Sequence, residues 1–162
     1  MKNNKEESFI IVNELISSGN LTYTASAKSV DGFRTDLFID CVDTFFSFDL
    51  RNESNNNKLA IVKDAYMEHN LGELTLGRFL FFKRKLDLHS SVRHYYMSRN
   101  SHYLQMVYGT IFPDSCKKIQ ITYLKYFLLV LFFFGNKREN YKMIRKGIKD
   151  AKNNKLGNYQ TK

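Results

Sequence analysis

Two carboxylates, Asp40 and Asp43, stand three residues apart at the end of an apolar run, Leu37-Phe38-Ile39. Charge kept among apolar side chains is costly, so carboxylates in such places are commonly satisfied by a cation, a metal or a substrate proton. The same spacing fits a helix start, where an Asp side chain accepts hydrogen bonds from the first free amides. Spacing alone leaves both uses open.

The elements that must position this pair read as short strands first and helices later. Ser8–Val12 and Leu21–Thr24 have strand character, separated by the turn signal Gly19-Asn20. Ala25–Val30 is helical in pattern and stops at Asp31-Gly32. Thr44–Leu50 suits an amphipathic helix carrying Phe45, Phe46 and Phe48, and Asn52–Lys58 is a polar loop. Leu59–Val62 reads as a short buried strand. A long helical region opens at Ser90 or Ser91 and runs towards Ile111, where Pro113 breaks it. Further helical blocks span about Cys116–Phe134 and Glu139–Lys152, and the polar tail from Asn153 is expected to fray. The pattern predicts an α/β or α+β chain without internal repeat.

At 162 residues, with 43% hydrophobic and 15% aromatic content, the chain can build a real core and is not of the disordered class. Cys41 and Cys116 have neither metal-ligand spacing nor scaffold density, which points to a reducing cytoplasm. Charge is uneven. Residues 1–80 hold 8 Lys/Arg against 12 Asp/Glu (−4), and residues 81–162 hold 17 against 4 (+13), summing to +9. The basic half suits a polyanion, whether nucleic acid, anionic lipid or a phosphate-bearing ligand. No apolar leader follows the polar start, and Tyr126–Phe134 is far short of the roughly 20 residues of a spanning helix. That run reads as core or interfacial.

Four segments, in order, resemble the C-terminal half of family 2 glycosyltransferases, in particular the rhamnosyltransferase-like branch. They are Ile16-Ser-Ser-Gly-Asn-Leu21, Gly32-Phe-Arg-Thr-Asp-Leu-Phe-Ile-Asp-Cys-Val-Asp-Thr44, Asp64-Ala-Tyr-Met-Glu-His-Asn-Leu-Gly-Glu73 and Ser91-Val-Arg-His-Tyr-Tyr-Met-Ser-Arg-Asn100. The resemblance covers most of residues 9–100 and implies a partial GT-A-like, Rossmann-related fold with short strands followed by a bundle of about three helices. It divides the chain into a loose start (1–8), an acceptor-side part (9–80), a basic helical region (81–152) and a tail (153–162).

The resemblance implies a role for each matching residue. Asp43 matches the general base that deprotonates the acceptor hydroxyl, a task suited to a carboxylate. Asp40 falls with the substrate-binding residues. His69 matches a histidine that in some members helps ligate Mn²⁺ or Mg²⁺. Ser18 and Gly19 match the segment lining the acceptor pocket, where small residues let the backbone approach the sugar. Arg93 and Arg99 match a segment whose guanidinium forks can grip phosphate, with a solvated helix face as the other use of such residues. Tyr95 and Tyr96 could stack on a sugar ring, although core packing is the commoner use.

The implied partners are a nucleotide diphosphate sugar and a saccharide or lipid-linked acceptor. Implied too is a separate nucleotide-binding half, because no Asp-x-Asp occurs in these residues. The divalent metal is expected only where that half is supplied. Phe45 and Asp49 stand where the family has Glu and Arg, and the loop Asn52–Lys58 replaces a tighter turn. An inactive remnant and a non-enzymatic basic module on an anionic membrane or nucleic acid are the alternatives, with nucleic acid the less expected partner. The expected location is cytoplasmic, compatible with peripheral attachment to the inner membrane face.

Overall fold

The computed structural model describes residues 8–54, 57–68 and 74–160. The chain is mixed α/β, with five α-helices and two small antiparallel sheets of two strands each among the described residues. It divides into two compact units, residues 1–33 with 43–70, and residues 34–42 with 71–162. This differs from a boundary at residue 80, because residues 34–42 and the strands after residue 74 belong with the helical unit.

The first unit contains β1 (Phe9–Val12), α1 (Thr24–Ser29), α2 (Val42–Glu53, whose first residue lies across the boundary) and β2 (Leu59–Val62). β1 pairs with β2 in the register Phe9↔Val62 to Val12↔Leu59. Phe46, Leu50 and Leu59 form its core, packed by Val12, Leu15, Ala27 and Val30. Helix α2 is longer than its apolar pattern suggests. Asp43 in its first turn suits the positive helix end, and Asn57 Nδ2 donates to the Leu50 carbonyl at 2.8 Å near the other end. Leu21–Tyr23 is not a strand, despite its alternation. It has no pairing partner among the described residues and leads directly into α1.

The second unit contains β3 (Thr75–Phe79), β4 (Phe82–Leu86), α3 (Ser91–Tyr108), α4 (Pro113–Phe133) and α5 (Lys137–Lys152). Ser90 caps α3, its Oγ accepting from the Arg93 amide at 3.2 Å. Pro113 opens α4 at a position where its missing N–H costs nothing. Helices α3 and α5 approach closely at Gly147, where a Cβ would collide with Ser98 Oγ and the Tyr95 carbonyl. Ser98 Oγ donates across this crossing to the Ile144 carbonyl at 3.1 Å. The packing of this unit includes the apolar clusters Tyr95–Tyr96–Met143 with Tyr159, and Met97–Phe127–Ile144 with Tyr123, Tyr126 and Ile148.

Two features depart from the sequence reading. The β3–β4 hairpin is one, hidden because Leu80-Phe81 at its turn carries none of the usual Gly or Asn signature. The tail is the other. Far from fraying after Asn153, it is tied down as far as Tyr159: Tyr96 Oη donates to Asn158 Oδ1 at 2.8 Å and accepts from the Tyr159 amide at 2.6 Å. No helix among the described residues is long and apolar enough to cross a membrane. Residues 1–7, expected to be loose, lie outside the described residues.

Candidate functional site

The segment 36–41 carries the first candidate site, and its backbone is unusual. Phe38, Asp40 and Cys41 have φ of 66°, 63° and 60°. Three non-glycine residues in the left-handed region within four positions cost on the order of 1–2 kcal/mol each. Such a conformation persists only where its surroundings fix it.

Helix α3 supplies that fixation from two adjacent residues. Asn100 Nδ2 lies 3.0, 2.7 and 3.0 Å from the carbonyl oxygens of Leu37, Ile39 and Asp40, so its two N–H groups serve three acceptors. Its Oδ1 accepts from Arg99 Nε at 2.8 Å, which fixes the orientation of the amide. Arg99 Nη2 donates to the Leu37 carbonyl at 2.8 Å, and Nη1 to the Gly157 carbonyl in the tail at 2.6 Å. The guanidinium also lies over the rings of Tyr95 and Tyr96. Phe38, half exposed, stacks on Tyr96 at 5.0 Å.

Arg99 is therefore neither a solvated residue nor an open phosphate fork. It is fully buried, and its donors are aimed at backbone carbonyls. Tyr95 and Tyr96 are equally internal. Tyr95 Oη donates to Asp150 at 3.0 Å, and burial together with that carboxylate pushes its hydroxyl pKa up to about 12.

Arg93 differs. Its Nε and Nη2 donate to the Asp40 carboxylate at 3.3 and 3.1 Å, with the Asp40 side chain 10% exposed and that of Arg93 40% exposed. Burial alone would lower the guanidinium pKa, but the hydrogen bond and charge of Asp40 outweigh it and raise the value. Its Nη1 lies 3.4 Å from His89 Nδ1, and that imidazole is shifted towards its neutral form by burial and by the Arg93 charge. The carboxylate, guanidinium and imidazole thus form one chain that reaches the surface at Arg93.

Beneath it lies a network that sequence reasoning missed. Asn140 Nδ2 donates to the Gly135 carbonyl at 3.2 Å, leaving its Oδ1 to accept from Ser91 Oγ at 2.6 Å and from His94 Nδ1 at 3.1 Å. His94 Nε2 faces Tyr126 Oη at 3.1 Å. His94 is fully buried, and burial holds its pKa below the ordinary histidine value, against the raising effect of the Asn140 hydrogen bond. The spacing Asp87-x-His89…Arg93-His94 was the available signal. It could not be read without knowing that Asn140 and Tyr126 come from other helices.

The second candidate site lies in the first unit. Ser18 and Gly19 line a cavity of about 750 Å³ together with Ile16, Ile61, Tyr66 and Met67. That size falls within the roughly 300–1,000 Å³ of small-ligand sites. Glu14, Ser18 and Asn20 supply polar groups to an otherwise apolar wall. Gly19 has φ of 69°, and a Cβ there would sit 3.0 Å from Met67 Sδ.

Asp43 is in the first turn of α2, partly buried, with no hydrogen bond or ion pair to its carboxylate given by the described residues. Asp40 and Asp43 fall in different units, so the sequence pair divides into a paired carboxylate and one without such a partner. His69 lies outside the described residues. Among the described residues no three His, Cys, Asp or Glu side chains converge as a metal site. Comparison with protein-family models, with curated proteins and with solved structures returns no match for this chain.

Proposed function

We propose that this chain is the acceptor-side part of a family 2 glycosyltransferase of the rhamnosyltransferase-like kind. It would move a hexosyl or deoxyhexosyl unit from a nucleotide diphosphate sugar to a polysaccharide or lipid-linked acceptor. One observation carries the reading: the four resembling segments, far apart in sequence, meet in pairs. Residues of the second segment, 36–41, are held by Arg93, Arg99 and Asn100 of the fourth. Ser18 and Gly19 of the first line a cavity with Ala65, Tyr66 and Met67 of the third. Residues that matter jointly in one reaction need to be fixed jointly, and chemistry depends on such positioning.

In this reading the cavity beside Gly19 takes the acceptor, and Asp43 accepts the proton of its hydroxyl as that oxygen attacks the anomeric carbon. The nucleoside diphosphate leaves with the electrons of the broken bond. Arg93, whose guanidinium is partly exposed, would bind a phosphate oxygen. Donor contacts belong to a nucleotide-binding half outside these 162 residues. The partial sheet is consistent with this, because Ile10, Ile11 and Ile61 stay half exposed on β1 and β2, where further strands or helices would cover them.

The test combines the chain with the nucleotide-binding half of a rhamnosyltransferase-like enzyme, Mn²⁺ and a nucleoside diphosphate rhamnose, and follows release of the nucleoside diphosphate in the presence of a lipid-linked saccharide. Turnover in the mixture that falls by roughly 10²–10⁴ in Asp43→Asn, at unchanged thermal stability, supports the reading. Donor binding and turnover absent from every mixture, or turnover indifferent to Asp43→Asn, would sink it.

A further inference from the structure

The β3–β4 hairpin breaks two rules at its tip. Leu80 adopts φ of 52°, a conformation that favours Gly or Asn, and the turn residues Leu80 and Phe81 are 79% and 98% exposed. A polar turn would relieve both the strain and the exposure. An apolar residue kept against two penalties points to an apolar environment met outside the chain.

The surface continues from the tip. Phe79, at the root of the turn, meets Phe132 of α4 edge-on at 5.6 Å. From Phe132 a stripe runs back along α4 through Leu128, Leu124 and Ile121, all 42–58% exposed. Their spacing places them on one face of the helix, over roughly 16 Å of its length. Residues 74–86 contain Arg78, Lys83, Arg84 and Lys85 and no acidic residue. Lys137 lies 5.7 Å from the Phe79 ring, while Lys117, Lys118 and Lys125 are exposed along α4.

We propose that this tip and stripe dock onto an anionic lipid bilayer, with Leu80 and Phe81 inserted at the headgroup level and the basic residues on lipid phosphates. Charge complementarity selects the occupant. An apolar edge flanked by Lys and Arg is the arrangement that binds an acidic membrane surface. A nucleic acid would find few planar faces to stack on, because the stripe is chiefly aliphatic. A second copy would bring two like-charged hairpins together. The proposal does not depend on the transfer reaction.

The experiment is vesicle co-sedimentation of the full chain with phosphatidylcholine alone and with added phosphatidylglycerol. Binding is expected only where phosphatidylglycerol is present, and weakened by salt. The double variant Leu80→Asn with Phe81→Gly suits the turn better than the native pair, so it should melt no lower while losing at least about tenfold in binding. Since the chain has no Trp, Phe81→Trp provides a reporter free of background, expected to shift to the blue on anionic vesicles. Equal partition onto neutral and anionic vesicles, or full binding by the double variant, would overturn the proposal. So would absence of vesicle binding alongside concentration-dependent self-association, or alongside tight retention on single-stranded nucleic acid.

Discussion

The clamp on residues 36–41 and the cavity beside Gly19 solve opposite problems. At the clamp, a strained backbone is over-determined: Arg99 and Asn100 are both fully buried and direct their donors to its carbonyls. At the cavity, the wall is largely apolar, the volume is open, and few polar groups interrupt it. A segment that must keep one shape is held by buried charge-assisted hydrogen bonds, whose loss is expensive. A surface that must admit a ligand is left with soft side chains such as Met67 and a backbone kept near by glycine.

The difference can be broken most sharply at Arg99. Arg99→Ala removes the guanidinium donors to the Leu37 and Gly157 carbonyls, of which Leu37 keeps Asn100, and empties a buried volume, with an expected cost of about 3–5 kcal/mol in chemical denaturation. Arg99→Lys should recover only part of this, because an ammonium cannot reproduce the fork. If Arg99→Ala unfolds at the native midpoint, the clamp is not what holds the segment.

Next comes the crossing beneath the clamp. Gly147→Ala should cost about 1–3 kcal/mol, by forcing α5 away from Ser98 and the Tyr95 carbonyl. The cavity should respond more mildly. Gly19→Ala is expected to cost about 1 kcal/mol through its positive φ and the approach to Met67, the latter easily moved. A thermal melt of both variants tests whether the two regions differ in tolerance as described.

The pH dependence follows from His94, with His89 and His102 shifted in the same direction. Each has a folded-state pKa below 6.5, so the unfolded chain binds more protons between the two values. The associated stability is present above the unfolded pKa and is lost as pH falls through the lower folded one. His94 is flanked by His89, Arg93 and Asp40 and bonded to Asn140. The denaturation midpoint should therefore fall between pH 7 and pH 5, with a shallower fall in His94→Gln. Smallest of all is the Asp40–Arg93 pair. With the guanidinium 40% exposed, Arg93→Gln should cost only about 0.5–1 kcal/mol, less at high salt.

The sequence was a good guide wherever a local rule decided the outcome. The Ser90 cap, the end of a helical block near Phe134 and the existence of strands β1 and β2 (although only Leu59 of β2 is buried) were legible, because each depends on residues within one or two turns of chain. It misled at Leu80-Phe81, where the turn chemistry was replaced, and at the tail, which is bound by groups some 60 positions away.

Within the candidate sites the same division holds. Residue types determined which groups could hold charge or a proton: the carboxylates of Asp40 and Asp43, the guanidinium of Arg93, the small pair Ser18-Gly19. Only the tertiary structure decided that Arg99 is a buried clamp while Arg93, six residues earlier on the same helix, opens to solvent. The physical reason is that exposure and partner choice come from packing between elements, and a lone helix offers its arginines to water without distinction.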